Sequence, residues 1–475
     1  MATITQDIEK GTKPTRRLAG LRDPAEPNGK GGDRFAPVYD LVINGKGITE
    51  QVRGHITSVE YEDNEELFDQ IKITLTGFFD DPKTGRTISV CEWALSDETF
   101  SEGNIIWVMM GYRGQSNLVG AGEIVKREFD YSQNPTMTVI CYEPLHRMAQ
   151  VFADDAKSFP KMRSSDIVKK IAQKDEYGKS RIGALFNTDY IDRLPIFTTK
   201  AEVQKRGESD YAFIKRMADV RGWHLYTRFD LKKKKFNLYY GPDVDKQETI
   251  FRYEYNPPQE EYPEDTILSF KPTITTIDQN TEVQLISVNE KKKKKVEQGR
   301  KYIPYADGAK PISRTLSGSN NSFKETQLQN PVAYRFQIFG VSKRILAKRP
   351  FKDEKEVKNF IINWARLTIK NFITGSLEVA GNEYIQSRQN IFLMGLGITF
   401  SDSEGHPAKW YVTKVTHKME VSGSLIYSSN AEVRKVIDWL PEGDLVANPA
   451  AIKTEKDKAA KFKRVTGIYN SVKPK

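Results

Sequence analysis

Cysteine is nearly missing: the 475 residues contain only Cys91 and Cys141. They lie too far apart for a disulfide framework and lack the paired spacing of a zinc site. Histidine is scarce as well, and His55, His146, His224, His406 and His417 stand alone, with no HExxH or comparable ligand spacing. No stretch approaches the ~18 uninterrupted apolar residues of a membrane span. MATITQDIEKGTKPTRR lacks the apolar core of a secretory signal, so folding in a cytosol is expected. No GxxxxGKS/T or GxGxxG loop follows a strand, and there is no GxSxG elbow. No catalytic residue, metal ligand or cofactor is therefore assigned.

What is present is charge and β-strand pattern. Hydrophobic residues make up 38% and charged residues 29%, which suits a soluble chain of roughly two to four domains. The net charge is +10, but 73 basic residues face 63 acidic ones, and nine of the lysines sit in two runs, Lys232 to Lys235 and Lys291 to Lys295. Such runs read as solvated hairpin ends, with salt-sensitive polyanion contact as the alternative. The acidic clusters EYEDNEE (Glu60 to Glu66) and EEYPE (Glu260 to Glu264) read as charged hairpin loops. A glycosidase would need two carboxyls at a set separation across a cleft.

The pattern divides the chain. Residues 1–35 and 441–475 are polar and aperiodic and read as flexible tails. Residues 36–147 alternate: Ile71, Ile73 and Leu75 share one strand face, Asn44-Gly45 marks a turn, and NIIWVMMGY (Asn104 to Tyr112) is apolar on both faces. A small β-barrel or sandwich is expected. Residues 148–265 are mixed α/β, with a linker at Pro257, Pro258 and Pro263, and residues 266–440 form a second β region. That region includes TILSFKPTITTI and EVQLISV, with an inserted segment and helix at about 290–370 whose stripe is Val357, Phe360, Ile361, Trp364 and Leu367. NIIWVMMG from Asn104 and NIFLMGLG from Asn390 share their asparagine-to-glycine spacing, and each precedes two further strands, which suggests two copies of one barrel. GLGITF at Gly395 fits a bulge or close packing. His417, on an alternating strand, reads as a hydrogen-bonded structural residue. The fold class is α+β, mostly β.

The most information-rich segment is GESDYAFIKRMADVRGWHLY, residues 207–226. Ser209 sits where an N-cap belongs, with Glu208 and Asp210 at the positive helix end. Phe213, Ile214, Met217 and Ala218 form one apolar stripe, and Gly222 is placed as a C′ stop. Ser209 and His224 then lie about 20 Å apart on a straight helix, too far for a nucleophile and its base.

ESDYAFIKRMADVRGWHLY, together with EYEDNEELFDQIKITL, FSEGNIIWVMMGYRG, SLEVAGNEYIQSRQNIFLMGLG and KWYVTKVTHKME, resembles the bacteriophage tail baseplate hub family. That family is grouped with the late control gene D proteins and the N-terminal part of VgrG spike proteins. The resemblance spans most of residues 38–436, with Glu208, Ser209, Asp210, Phe213, Ile214, Arg216 and Gly222 as its signature. It implies two tail-tube-like β-barrels joined by the mixed middle domain, and no enzymatic activity. It also implies a homotrimer that fits the sixfold tail tube to a threefold central spike and leaves a channel for genome or effector passage. Ile106, Trp107, Val108, Ile391 and Leu393 are then barrel and trimer packing residues. Spike, tube and other baseplate proteins are the implied partners, with transient contact to translocating DNA, and the implied location is the virion tail. The oligonucleotide/oligosaccharide-binding domain and glycine-rich β-helix of VgrG proteins are not found, so the spike is expected to be a separate polypeptide. The alternatives are a cell-wall-degrading tail enzyme and a VgrG-like secretion component.

Overall fold

Asn44 and Gly45 have φ of 47° and 88°, the two left-handed residues that a type I′ hairpin turn requires. They reverse β1 (Pro37–Ile43) onto the two-residue strand Lys46–Gly47. The computed structural model describes residues 36–436 except 81–84, 113–114, 179, 181–182, 192–201, 222, 243–250, 256–265, 278, 281, 290–293, 302–338, 341, 348–369, 398–399 and 402–407. Both expected tails, the proline linker, the helix stripe from Val357 to Leu367, Gly222 and His406 lie outside the described residues.

The described chain is mostly β and mostly antiparallel. The first half supplies β1, β2 (Ile56–Asn64), β3 (Gln70–Thr76), β4 (Ile105–Tyr112), β5 (Gln115–Asp130) and β6 (Thr136–Tyr142). Between the halves lie helices α1 (Leu145–Gln150), α2 (Ser164–Ala172) and α3 (Asp210–Arg221), then the hairpin β7 (Trp223–Asp230) and β8 (Lys235–Pro242). The tip of that hairpin carries exposed Lys232, Lys233 and Lys234, as a solvated run should. The second half supplies β9 (Phe251–Glu254), β10 (Ile267–Ile274), β11 (Glu282–Asn289), β12 (Lys294–Lys301), β13 (Lys343–Ala347), β14 (Ile373–Ala380), β15 (Asn390–Met394), β16 (Ala408–Ser422) and β17 (Ser424–Lys435). EVQLISV, read above as part of the second barrel, falls on β11, whose two edges are taken by β12 and β13 in a separate three-stranded sheet.

The two expected closed barrels are not what the strands form. One 13-stranded sheet runs β10-β14-β17-β16-β2-β3-β6-β5-β4-β1 and ends on Lys46–Gly47, with β9 and β15 attached at β16. The physical reason is β16. It pairs through Ala408–Tyr411 with β15 and through Lys414–Glu420 with β2, so the second half's sheet runs into the first's.

Within that sheet the repeat suspected from sequence takes a definite form. The first half is ordered β1-β4-β5-β6-β3-β2 and the second β9-β15-β16-β17-β14-β10. Numbered along the chain, both orders are first, fourth, fifth, sixth, third, second. Even the irregularities correspond. β5 slips one residue against β6 between Ile124 and Lys126, and β16 slips against β17 between Val412 and Lys414. β2 slips against β3 between Ile56 and Ser58, and β10 slips against β14 between Ile267 and Ser269. One difference stands out: β1 meets β4 antiparallel, whereas β9 meets β15 parallel.

Alternation places the cores. Ile71, Ile73 and Leu75 are buried with Val59, Ile106, Val108, Met110 and Val139. The middle region packs Ile167, Val168 and Ile171 of α2 against Phe213, Ile214, Met217 and Ala218 of α3 and the inner face of the β7-β8 hairpin. In the second half Phe251, Tyr253, Leu377, Ile391, Leu393 and Trp410 are all buried. Each fully buried side chain of this size contributes roughly 1.5–3 kcal/mol.

Candidate functional site

The start of α3 is built by its own short side chains. Ser209 Oγ accepts the amide of Ala212 at 3.2 Å, the expected N-cap bond. Glu208 takes Arg216 by both oxygens, at 2.6 and 2.8 Å, and accepts the Lys205 amide at 2.9 Å. Burial works against the Glu208 charge, but these partners outweigh it and hold the carboxyl below its usual range. Asp210 does more than complement a helix end. It is fully buried and accepts from Lys174 Nζ (2.5 Å), the Tyr177 hydroxyl (2.6 Å) and Gln204 Nε2 (2.9 Å). Burial, then the Asp210 carboxylate, pushes the Tyr177 hydroxyl far above its ordinary pKa. Phe213 stacks on Phe159, with ring centroids 5.6 Å apart, under the Arg216 guanidinium. The segment's apolar stripe packs into the middle region's core, with His224 at the start of the following strand 3.6 Å from Glu65.

Both faces of β4 are covered inside the chain. Ile106 and Val108 point into the first-half core, while Ile105 and Trp107 point into the middle region, where Trp107 stacks on Phe229 at 5.1 Å. The β7-β8 hairpin covers that second face within the chain, at residues that the resemblance assigns to barrel and trimer packing. Ile391 and Leu393 are likewise fully buried.

The main polar assembly lies where β16 meets β2, and sequence reasoning missed it. Asp63, in the run read as a charged loop, is 1% exposed on β2. It accepts from Arg228 Nη2 at 2.8 and 2.9 Å, from Arg388 Nη1 at 3.4 Å, and from the amide and hydroxyl of Ser387. Asp69 accepts from Arg228 Nη1 and the Tyr61 hydroxyl, both at 3.0 Å. Glu143 accepts the Thr227 amide and hydroxyl. Arg388 also donates to the carbonyls of Asn64 (2.7 Å) and Glu65 (3.2 Å), and its guanidinium lies 4.4 Å above the Tyr226 ring. The group thus ties β2 and the turn before β3 in the first half, β7 of the middle region and the loop before β15 of the second half. A signal was available: Val59, Tyr61 and Asp63 occupy alternate positions, so Asp63 continues an inward face.

Three carboxyls share two guanidiniums here, and their environments separate them. Burial opposes the Asp63 charge, but Arg228, Arg388 and Ser387 prevail and lower its pKa. Burial, then the Asp63 and Glu143 charges, raises Asp69 well above the usual value. Burial also raises Glu143, partly offset by Thr227 and the two arginines. The arrangement holds the first half, the middle region and the second half together. His417 is structural, as expected: it is fully buried, with ring nitrogens 3.1 Å from Ser429 Oγ and 2.9 Å from the Ile385 carbonyl. Gly395, at φ 73°, lies where a Cβ would meet the Tyr255 carbonyl oxygen at 2.5 Å, so close packing explains that glycine.

No protein-family model matches the chain, and no curated protein matches it. Solved structures do. The chain is similar to the tail protein from Neisseria meningitidis MC58, at 10% identity and a TM-score of 0.54, over 84% of this chain and 97% of that one. It is also similar to the 43 kDa tail protein of prophage MuSo2 from Shewanella oneidensis, at 11% identity and a TM-score of 0.53, over 84% of this chain and 98% of that one. The fold is the one these tail proteins have.

Proposed function

We infer that the chain is a structural hub of a phage tail baseplate, contractile in type, or of a related injection machine. Three copies form a ring that fits the sixfold tail tube to the threefold central spike and leaves a channel for genome or effector passage. The observation that carries this reading is the repeated strand order: two similar β units per chain turn a threefold ring into a near-sixfold one. Residues 36–147 are one unit; the second, expected over 266–440, also takes in β9 (Phe251–Glu254), and the mixed region between them joins the two. The fold shared with tail proteins supports the same reading, as does the use of the buried polar groups for scaffolding. Its partners are its own copies, the spike, the tube and other baseplate proteins.

Native mass spectrometry of the purified chain, alone and with tube and spike proteins, tests this. Trimers are expected. A chain that stays monomeric in every mixture would sink the reading.

A further inference from the structure

The joint inside the chain is a template for a second one. In the first joint, Lys414 to Glu420 of β16 pair antiparallel with Asn64 to Ser58 of β2. The matching bulges make Lys126 the counterpart of Lys414, and Ser269 the counterpart of Ser58. The counterpart edges are both open among the described pairings. β5 gives Gln115–Glu123 to β4 and only its other edge to β6 beyond that, while β10 pairs with β14 alone. Exposed apolar groups mark both edges: Tyr131 is 66% exposed, and on β10 Leu268 is 59% and Ile274 40% exposed.

We propose that copies of this chain join head to tail by antiparallel pairing of Lys126–Ser132 in one copy with Ser269–Thr275 in the next. Carrying the first joint's register across sets Asp130 opposite Lys271, Tyr131 opposite Phe270, and Glu128 opposite Thr273. Each match has physical sense. Lys418 faces Glu60 in the first joint, and Asp130 faces Lys271 in the second with the signs exchanged, an attractive cross-strand pair. Met419 and Val59, the counterparts of Tyr131 and Phe270, are buried, so pairing would cover Tyr131.

The two joints differ in strength. Ile274 stands in the place of Asp63, so the second joint has no buried charge cluster. Pro272 stands in the place of Tyr61 and removes one ladder donor. A contact that forms between folded chains gains from being the weaker of the two. The edge is heterologous, as ring closure requires. Closure with three copies rests on the hub reading above.

Cysteines placed at a non-hydrogen-bonded antiparallel pair have Cα atoms about 4.5 Å apart, within disulfide range. Glu65 donates its amide to the Thr413 carbonyl at 2.9 Å, which makes Glu60 with Lys418, and hence Lys271 with Asp130, a pair of that kind. Cys91 Sγ lies 3.6 Å from the Asp130 carbonyl oxygen, so every sample carries Cys91→Ser, while the buried Cys141 stays in place. The test is Asp130→Cys with Lys271→Cys in the full chain, oxidised and run without reductant. Covalent oligomers up to a closed ring are expected from the double variant. Neither single variant should link, and a mixture of the two singles should give dimers. A control pairing Asp130→Cys with Thr273→Cys should link several-fold less. In a second arm, Asp130→Lys should weaken association about fivefold per interface, as a cross-strand charge pair implies, and adding Lys271→Asp should restore it. Native oligomers without these cross-links, or stronger linkage at Thr273, would overturn this edge pairing while leaving the hub reading intact. Monomers in every sample, tube and spike mixtures included, would overturn both.

Discussion

The amide of Arg388 donates to the Val412 carbonyl at 2.8 Å, as the amide of Gly103 donates to the Ile124 carbonyl at 2.9 Å. Both donors are left-handed, with φ of 66° and 83°. Arginine there strains the backbone by about 1–3 kcal/mol, yet its side chain completes the group around Asp63. Arg388→Gly therefore separates the two effects. It should relieve the strain but leave Asp63 undercompensated, for a net loss of about 2–4 kcal/mol, measured by urea unfolding. Unchanged or increased stability would mean that the guanidinium contributes nothing to the joint.

Asp69 predicts a pH signature. Its carboxyl holds a proton to higher pH when folded than when unfolded, so the native state binds more protons across that window. The associated stability is fully present below about pH 4, the unfolded value, and is lost as pH rises through the folded one. Asp63 acts in the opposite sense: its contribution is present above the unfolded value and lost as pH falls through its lowered one. Asp69→Asn mimics the protonated form, so melting temperature should decline less from about pH 4 to 8, while the acid limb set by Asp63 remains. A profile parallel to wild type would contradict this.

Phe213 has no exposed surface and packs between Phe159 and the Arg216 guanidinium. Phe213→Asp buries an unpaired charge and should abolish folding, leaving no cooperative thermal transition and no oligomer. His224→Gln should leave both the transition and the oligomer intact. Equal damage from the two would return His224 to consideration as a functional residue.

A Cβ on Gly120 would lie 2.1 Å from the Tyr61 ring. Gly120→Ala should cost about 1–3 kcal/mol by overpacking, seen as a lower urea midpoint. Trimming the ring in Gly120→Ala with Tyr61→Leu should cost less than the two single effects added together. Strict additivity would show that the two sites do not touch.

Alternation and capping were legible because they are local: Ile71, Ile73 and Leu75 share a face, and Ser209 caps α3 as its position implies. The repeat was legible only approximately. Aligning Asn104 with Asn390 is off by one residue, because the Gly103 and Arg388 bonds match Asn104 to Gln389 and Ile105 to Asn390. No residue-type rule equates a glycine with an arginine in the same backbone conformation. Of the polar assembly only Asp63 left a local signal; its meeting with Glu143, Arg228 and Arg388 was illegible because these residues are far apart in the chain. The separate β11-β12-β13 sheet was missed because strand composition does not name a partner.

The β2 edge also sets a timetable. Asp63 and Ser387 are 324 positions apart, so on a ribosome the first half emerges long before the strand that covers its edge exists. During that interval β2 offers an unpaired ladder, a site for association with the wrong chain. Contacts of such long sequence separation also form late in folding. Asp63 and its acidic neighbours on β2 would then serve twice: as a charge that discourages premature pairing during synthesis, and as the anchor of the finished joint.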